Sequence, residues 1–389
     1  MKKLHVLLLV ALSTSVLLFG CGKKDDAQEP VNVEQITLEN ESGVENDKPE
    51  TEPEPAVAEE ESREGMVRST LTNEWIDEGI ANNRPIAVMF PHDKSAMPQH
   101  GIADADILYE IYAQSTEPRM MGVIKDWHDM NEIGNIRSCR DYYVYLALEW
   151  EALYVHYGLV YYADDILSRA DVNHIDGCGR DGGAFPANAP NAFYRTSDKK
   201  APHNVYTSGK LLQEACDKLG YSLEYRQDYY YSDHFKFASE SSPNTLENIS
   251  GSFNATKIDM GTASDGKRVA FAVDKPVLEY NESDGLYYRS MYGSPHVDAS
   301  GTQLAFANVI VQNVYAESRD PHDYWYYSVH DDTRDGYYFT QGKGIHVTWK
   351  KSENYAPTKF YDDNGNEVEF NTGKTMIFII QDGQGFTYE

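Results

Sequence analysis

Residues 131–154 read NEIGNIRSCRDYYVYLALEWEALY, and this segment decides how the N-terminal part of the chain folds. Ser138 precedes Asp141 by three residues, which is the spacing of a helix-capping pair, and apolar residues at helical spacing follow. We therefore predict a helix that begins here. Arg137 and Arg140 flank its start, although a helix N-terminus already carries partial positive charge. The two guanidinium groups indicate an anionic partner, either a buried carboxylate of the protein or a bound anionic ligand.

The N-terminus has the pattern of a bacterial lipoprotein signal peptide, predicted over residues 1–20. Lys2 and Lys3 precede an apolar run over residues 4–19, and Gly20 and Cys21 follow it. Cleavage before Cys21 would leave this cysteine as an N-terminal residue acylated with a fatty acid such as palmitate. An ordinary secretory peptide with a chance cysteine is the alternative. No later segment is apolar enough to cross a bilayer, so we expect the lipid alone to anchor the protein to the extracytoplasmic face of the cell membrane.

The predicted tether, residues 21–69, is rich in acids and prolines and almost free of aromatic residues. Such a composition buries too little apolar surface to offset the entropy of ordering, so we expect a disordered spacer. The whole chain has 62 acidic against 34 basic residues and a formal net charge of −28. This charge argues against nucleic acid as a partner and against direct docking on an anionic membrane surface.

The folded part is predicted to belong to the α/β (α+β) class, with a mixed-sheet, layered N-terminal lobe that contains helices. This lobe spans residues 70–230. It has buried strands at 84–90 and 120–127, a strand or short helix at 107–114, and a helix that begins after Thr207 or Ser208 and stops at Gly220. A polar connecting segment covers residues 231–264. Residues 265–389 alternate apolar and polar residues between Asp-Gly and Asn-Gly turns, which predicts a β-rich C-terminal lobe.

The cysteines give no zinc-binding spacing. Beyond Cys21, the chain has Cys139, Cys178 and Cys216. A disulfide between Cys139 and Cys178 is one alternative, although it requires a geometry that sequence does not reveal. A thiolate at Cys139 would be stabilised by the helix start, but a buried, inert cysteine is the favoured interpretation.

Several short motifs occur together in a fixed order: RPIAVMF, GIADADILYE, IGNIRSCR, LYVHYG, APHNVYT, GSPHVD, NVIV and VTWKK. With these motifs the chain resembles the YerB-like lipoproteins, a bacterial family of extracytoplasmic proteins of unknown biochemical activity. The resemblance covers residues 84–389 and implies the two-lobe architecture without supplying a function. Motif by motif, it marks these residues: Arg137, Ser138, Arg140, His156, Gly158, Pro202, His203, Asn204, Pro295, His296 and Asp298. It also implies a further arginine at Arg195, whereas residues 196–200 depart from the family's acidic-then-basic run.

The candidate ligand-binding residues are polar side chains set in these motifs: Glu110, Arg119, Arg137, Ser138, Arg140, His156, His203, Asn204, His296 and Asp298. The favoured hypothesis is a cleft between the lobes in which arginines bind an anionic cell-wall fragment or another envelope-associated ligand.

Two other functions stay open. One is a hydrolase of envelope material, with Glu110 as general base or with His203 or His296 oriented by Asp298. In this arrangement His296 and Asp298 would share one face of an extended segment, a spacing that also suits metal ligands. The other is a surface scaffold in which Arg137 and Arg140 pair with Glu110. We assign no metal, no cofactor and no oligomeric state.

Overall fold

The computed structural model describes residues 62–264, 266–330 and 333–389, which form one compact unit. It contains 13% helix and 38% strand, which confirms the predicted mixed α/β class. All three α-helices lie before residue 220, and the remainder is built from strands, as predicted. The predicted signal peptide, Cys21 and most of the predicted tether lie outside the described residues.

The N-terminal region contains three α-helices, which are α1 (Asp141–Leu148), α2 (Asp164–Leu167) and α3 (Gly209–Leu219). Its strands are β1 (Met66–Arg68), β2 (Trp75–Asp77), β3 (Ile86–Pro91), β4 (Ile107–Gln114), β5 (Glu117–Ile124), β6 (Ile133–Gly134), β7 (Leu153–His156), β8 (His174–Asp176), β9 (Tyr194–Arg195) and β10 (Val205–Thr207). Residues 107–114 are therefore a strand and not a helix. Strand β1 falls within the last residues of the predicted tether, so regular structure begins before residue 70.

The rest of the described chain adds eighteen strands in several sheets. They are β11 (Lys236–Phe237), β12 (Phe253–Asn254), β13 (Lys257–Asp259), β14 (Arg268–Val269), β15 (Val277–Asn281), β16 (Leu286–Met291), β17 (Ser294–Pro295), β18 (Ala305–Phe306), β19 (Asn308–Val314), β20 (Ala316–Ser318), β21 (Trp325–Tyr327), β22 (Thr333–Thr340), β23 (Lys343–Lys350), β24 (Lys359–Tyr361), β25 (Glu369–Phe370), β26 (Thr375–Gln381), β27 (Gln384–Gly385) and β28 (Thr387–Tyr388).

One 11-stranded sheet joins the two regions. Its order is β12-β23-β22-β19-β26-β4-β5-β3-β7-β8, with β24 paired to β23. Strand β26 pairs in parallel with β19 on one side and with β4 on the other. Because β4 comes from the N-terminal region and β26 from the end of the chain, each region completes the hydrogen bonding of the other.

The central strands are buried over their whole length because they are almost uniformly apolar. Strand β3 (IAVMFP) and strand β26 (TMIFIIQ) have no exposed residue. Strands covered on both faces carry continuous apolar runs in place of an alternating pattern. A second, six-stranded sheet is built around β15 and β16. Strand β16 alternates buried and half-buried residues, the pattern of a strand with one face toward the core.

Helix α1 forms where predicted, but the predicted capping pair is wrong. The helix begins at Asp141, and its N-cap residue is Arg140, which makes no side-chain capping bond. Ser138 lies a further two residues upstream, and its backbone carbonyl accepts a hydrogen bond from Arg119. The acid that complements the helix start is Asp141 itself, which forms a 2.6 Å ion pair with Arg319.

Helix α3 follows the sequence prediction closely. The Ser208 hydroxyl accepts a 3.3 Å hydrogen bond from the Leu211 amide, and Gly220 ends the helix in the left-handed conformation with φ of 71°. Across the described ranges, no helix is both long and apolar enough to cross a membrane.

Candidate functional site

Three arginines converge beside the start of α1. Arg119 comes from β5, Arg137 from the segment before the helix, and Arg140 is the helix N-cap. Arg119 and Arg140 are buried, and Arg137 is half-buried. Burial, reinforced by Arg140 and Arg137, lowers the pKa of Arg119 to about 9. Burial also lowers the pKa of Arg137, and Arg140 adds to the effect while Asp93 opposes it. The three positive charges therefore lie close enough to repel one another.

The side chains of Arg119 and Arg140 donate hydrogen bonds to backbone carbonyls. Arg119 donates to the Ser138 carbonyl at 2.9 Å, and Arg140 donates to the carbonyls of Ala113 at 3.2 Å and Cys139 at 2.9 Å. The Nε atoms of Arg119 and Arg137 are buried without a hydrogen-bond partner. Within residues 62–264, 266–330 and 333–389, no carboxylate lies within 4 Å of any of the three guanidinium groups. Carbonyl dipoles compensate Arg119 and Arg140, the Tyr324 ring adds a contact with Arg140 at 5.4 Å, and the Asp93 carboxylate acts on Arg137 from a longer distance.

Arg137 also lines an open pocket of about 310 Å³. Two further arginines line it, Arg180 and Arg195. The other lining residues are Ile136, Ser138, Tyr157, Gly158, Leu159, Cys178, Gly179, Asp181 and Pro202. We call this cavity the arginine pocket.

The position of Arg195 is fixed by two neighbours. Its guanidinium lies 5.1 Å from the centroid of the Tyr157 ring and donates a 2.6 Å hydrogen bond to the Asn204 side-chain oxygen. Asn204 is held in turn, because its amide donates to the Thr196 carbonyl at 2.8 Å. Asn204 therefore orients an arginine at the edge of the pocket.

Asp176, at the end of β8, shapes the loops that form the pocket floor. Its carboxylate accepts hydrogen bonds from the amides of Gly158 at 2.9 Å, Cys178 at 3.0 Å and Gly179 at 2.8 Å. Gly179 has a φ of 68°, and a Cβ atom there would lie 2.4 Å from the Phe185 carbonyl oxygen. Only glycine fits this turn.

His156 is fully buried and holds the loop at Gly158 through a hydrogen bond. Its Nδ1 donates to the Gly158 carbonyl at 3.0 Å, so its Nε2 must accept from His174 Nδ1 at 3.1 Å. Burial lowers the pKa of both histidines, that of His174 to about 3 with His156 adding to the effect. Both rings are therefore neutral, and His156 positions the loop without facing the pocket.

His203 lies near Arg137 and Asp93. Its Nδ1 is 3.8 Å from an Asp93 carboxylate oxygen. Burial lowers the pKa of His203, and Arg137 adds to the effect while Asp93 opposes it. The structure thus brings five of the predicted residues together around the start of α1, which are Arg119, Arg137, Ser138, Arg140 and His203, with His156 and Asn204 supporting the pocket.

Glu110 belongs to a second, closed cluster. Its carboxylate forms a 2.7 Å ion pair with Arg289, and both side chains are 0% exposed. The predicted alternative pairing of Glu110 with Arg137 and Arg140 is therefore wrong, because Arg289 from β16 takes that place. Asp274 is also buried against Glu110, and burial together with that carboxylate raises the pKa of Asp274 well above its ordinary value. A carboxylate so enclosed is not placed to act as a base on a solvent-borne substrate.

His296 and Asp298 do not form the predicted pair. His296 Nδ1 accepts from Arg289, and its Nε2 lies 3.0 Å from Gln99 Oε1, to which it donates. Asp298 instead accepts from the amides of Ala103 at 3.3 Å and Ser300 at 2.7 Å, so it stabilises a turn. In the part of the chain that the structure describes, no three acidic, cysteine or histidine side chains are grouped as a metal site.

The described cysteines, Cys139, Cys178 and Cys216, are all free, so the alternative of a Cys139–Cys178 disulfide is wrong. Cys139 is fully buried, and burial raises the pKa of its thiol well above the ordinary range. A thiol in this environment is a poor nucleophile, as the favoured interpretation expected.

The candidate residues chosen from sequence omitted four members of these clusters. Arg180 lies in a glycine-rich loop that gives no pattern of its own, and Asp176 ends a three-residue strand. Arg195 was marked only through the family resemblance. Arg289 shares one face of β16 with Tyr287 and Met291 and is fully buried, although a charged residue at this position would be expected to face solvent.

Comparison with known proteins places the chain in a family. Residues 71–222 match the N-terminal domain, and residues 267–377 the C-terminal domain, of a protein of unknown function (DUF3048). The chain is 26% identical over 329 residues to "Putative lipoprotein YerB" of Bacillus subtilis (strain 168). The aligned part covers 81% of this chain and 87% of that protein.

The crystal structure of the YerB protein from Bacillus subtilis has a similar fold. The TM-score is 0.67 at 23% sequence identity, and the match covers 83% of this chain and 99% of that one. The order of motifs, the two matched domains and the shared fold agree, so the resemblance inferred from sequence is confirmed. The chain belongs to the DUF3048 family and is a homologue of YerB.

Proposed function

We propose that this protein is a lipoprotein, anchored through acylated Cys21 on the extracytoplasmic face of the cell membrane, that binds an anionic envelope-associated ligand in the arginine pocket. The signal-like N-terminus supports the anchor, and so does the similarity to the Bacillus subtilis protein named "Putative lipoprotein YerB". The acidic tether would hold the folded unit away from an anionic membrane surface.

The observation that carries this proposal is the group formed by Arg119, Arg137 and Arg140. Removing a cation from water is costly unless an anion compensates for it. Here three guanidinium groups are buried or half-buried together, and no described carboxylate lies within 4 Å of them. A bound anion would contact Arg137, which lines the pocket, and its charge would offset the repulsion among the three guanidinium groups, although Arg119 and Arg140 do not line the pocket themselves.

The ligand should carry carboxylate or phosphate groups. A guanidinium presents a planar pair of N–H donors that matches either group. The pocket volume of about 310 Å³ is at the lower end of the range for small-molecule sites, which start at roughly 300 Å³. A cell-wall fragment with lactyl or peptide carboxylates, or a piece of a phosphate-bearing polymer, would suit both the pocket and the location.

Thermal-shift measurements on the full-length protein in detergent test the proposal. The probes are inorganic phosphate and soluble cell-wall fragments that carry carboxylates. A ligand that binds the native state raises the melting temperature by mass action, and the shift grows with ligand concentration. We expect Arg137→Gln to weaken binding at least about tenfold, because a charge-assisted pair of hydrogen bonds is lost.

Arg268→Gln is the matched control, since Arg268 is exposed on the short strand β14. It should leave the shift unchanged. A shift that is the same in Arg137→Gln as in the wild type would place binding elsewhere and contradict the proposal. Stabilisation by none of the anionic probes would favour the scaffold alternative.

A further inference from the structure

We infer that the ligand is a glycan that carries anionic groups, and that an aromatic surface beside the arginine pocket packs against its sugar rings. This surface, which we call the aromatic platform, consists of Tyr161, Tyr162 and Tyr324. The inference rests on the proposed function for the anionic part of the ligand. The aromatic part stands on separate residues.

The platform is a rigid set of rings. The centroids of Tyr161 and Tyr162 are 4.1 Å apart, and Tyr324 lies 6.4 Å from each of them at a steep angle. The hydroxyls of Tyr161 and Tyr162 both donate to one Asp320 carboxylate oxygen, at 2.5 Å and 3.2 Å. Rings tied in this way lose little conformational entropy when a ligand packs against them.

The platform is also accessible. Tyr161 is 47% exposed, the largest fraction among the large hydrophobic side chains at the described surface. An exposed tyrosine with a fixed hydroxyl is common, but three clustered rings form a patch that usually marks an interaction site. The electron-rich face of an aromatic ring attracts the weakly positive C–H groups on the flat face of a sugar.

The platform and the pocket share an edge. Tyr161 follows pocket-lining Leu159 by two residues, and Asp164, just beyond the platform, pairs with pocket-lining Arg180 at 2.5 Å. On the other side, the guanidinium of Arg140 lies 5.4 Å from the centroid of the Tyr324 ring. The platform therefore adjoins the pocket through Leu159 and the Asp164–Arg180 pair, with buried Arg140 beneath Tyr324.

The loop that carries Tyr324 is fixed to the same helix start. Arg319 bonds Asp141 at 2.6 Å and lies 4.4 Å from the Tyr162 ring centroid, and Trp325 Nε1 donates to the Ser115 carbonyl at 2.8 Å. Residues from both regions of the chain thus hold the platform in place. A ligand spanning the platform and pocket would contact both regions at once.

The charged side chains between the arginine pocket and the aromatic platform favour a glycan ligand over a continuous polyanion. Three carboxylates, those of Asp164, Asp181 and Asp320, lie among the arginines and tyrosines. They would repel a nucleic-acid backbone, as would the net charge of −28. The same carboxylates accept hydrogen bonds from sugar hydroxyls. A chain of neutral sugars with spaced anionic groups matches a surface on which carboxylates, arginines and aromatic rings are interspersed.

Calorimetric titration of the full-length protein in detergent tests the inference with four probes. They are inorganic phosphate, a phosphate-bearing tetrasaccharide, a uronic-acid tetrasaccharide and a neutral tetrasaccharide of similar composition. We expect at least one anionic tetrasaccharide to bind about tenfold or more tightly than both inorganic phosphate and the neutral tetrasaccharide. Comparing the two anionic tetrasaccharides then distinguishes a phosphate from a carboxylate ligand.

Substitutions separate the platform from the pocket. Tyr161→Ala should weaken tetrasaccharide binding about tenfold, the order expected for one aromatic contact, and should leave phosphate binding unchanged. Tyr161→Phe keeps the ring and should retain most of the affinity. Tyr231→Ala is the matched control, because Tyr231 is 37% exposed and also donates its hydroxyl to an acid, Glu353.

The outcomes distinguish the two proposals. If inorganic phosphate binds through Arg137 but no tetrasaccharide binds more tightly than it, the glycan inference is overturned and the proposed function stands. The same conclusion follows if Tyr161→Ala leaves tetrasaccharide affinity unchanged, or if the neutral tetrasaccharide binds as tightly as the anionic ones. If none of the four probes binds, both proposals are contradicted.

Discussion

Two buried arginines, Arg289 and Arg119, differ in how their positive charge is compensated. Arg289 is 0% exposed and faces Glu110 at 2.7 Å, so its charge is neutralised inside the protein. Arg119 is also buried, yet it has only the Ser138 carbonyl as a direct partner, and its pKa falls to about 9. In the first arrangement the two charges balance each other inside the protein, although Arg289 Nε and Glu110 Oε1 are buried without a hydrogen-bond partner. The second has no ion-pair partner within 4 Å among the described residues, so a bound anion would offset its charge.

Arg289→Met is expected to destabilise the protein strongly. It leaves the Glu110 carboxylate buried without its counter-ion, a change that typically costs about 3–5 kcal/mol. Urea denaturation at neutral pH measures the loss. Lys257→Met is the control, because Lys257 pairs with Glu389 at an exposed site where such pairs contribute about 1 kcal/mol or less.

The double variant Glu110→Gln with Arg289→Met identifies the cause of that loss. Removing both charges eliminates the uncompensated carboxylate, so the double variant should be more stable than Arg289→Met alone. If the two are equally unstable, the loss comes from packing and the ion pair has no special role.

At the scale of elements, α1 is held at its C-terminal end by a buried polar cluster. The Glu149 carboxylate accepts from Tyr109 at 2.6 Å and pairs with Lys351 at 2.9 Å. Burial alone would raise the pKa of Glu149, but Lys351 and the surrounding donors lower it. The next residue, Trp150, stacks on the His234 ring with centroids 3.4 Å apart. The end of the helix therefore depends on an ionised glutamate and a neutral histidine.

His234→Phe should make the protein less sensitive to acid. Burial lowers the pKa of His234 to about 3, from an ordinary value of 6.5. Below pH 6.5 the unfolded chain binds a proton at this site and the folded chain does not, so the stability contributed by the neutral ring is lost as the pH falls toward 3. Between pH 6.5 and 5 one such histidine accounts for roughly 1.5 kcal/mol.

The pH dependence is measured by urea denaturation of the wild type and His234→Phe at pH 6.5 and pH 5. Phenylalanine keeps the stacking on Trp150, so the variant should lose about 1.5 kcal/mol less than the wild type over this interval. His322→Gln is the control, because the His322 side chain is 77% exposed. Identical pH slopes for His234→Phe and the wild type would mean that His234 titrates normally.

At the scale of the whole molecule, sequence predicts elements better than it predicts their partners. The capping of α3 by Ser208 and its end at Gly220 follow from local chemistry, and so does the apolar strand at 84–90. The partner of Glu110 does not follow from local chemistry, because Arg289 lies 179 residues further along the chain. The sequence predicted a ligand cleft between the lobes, whereas every residue that lines the arginine pocket belongs to the N-terminal lobe. Arg137 stands in a recognisable motif, whereas Arg180 reaches the pocket through a loop without one.

Strand β26 lies between β19 and β4, and its pairing with β4 joins residues that are far apart in the sequence. This pairing implies that the two regions unfold together. Thr375 of β26 lies opposite Ile107 of β4 and Asn308 of β19. A chain that ends at residue 373 lacks β26, β27 and β28, and it leaves β19 and β4 each unpaired on the side that β26 occupies in the middle of the sheet. We expect this truncated chain to lose cooperative unfolding, including the signal from Trp127 and Trp150 in the N-terminal region.

A chain that ends at residue 386 provides the control, because it lacks only β28, a two-residue strand at the end of the second sheet. It should unfold cooperatively, with a melting temperature close to that of the full chain. Tryptophan fluorescence and far-UV circular dichroism during thermal unfolding measure both truncations. Cooperative unfolding of the N-terminal region without β26 would mean that this region folds independently, and the arginine pocket would then need no support from the C-terminal strands.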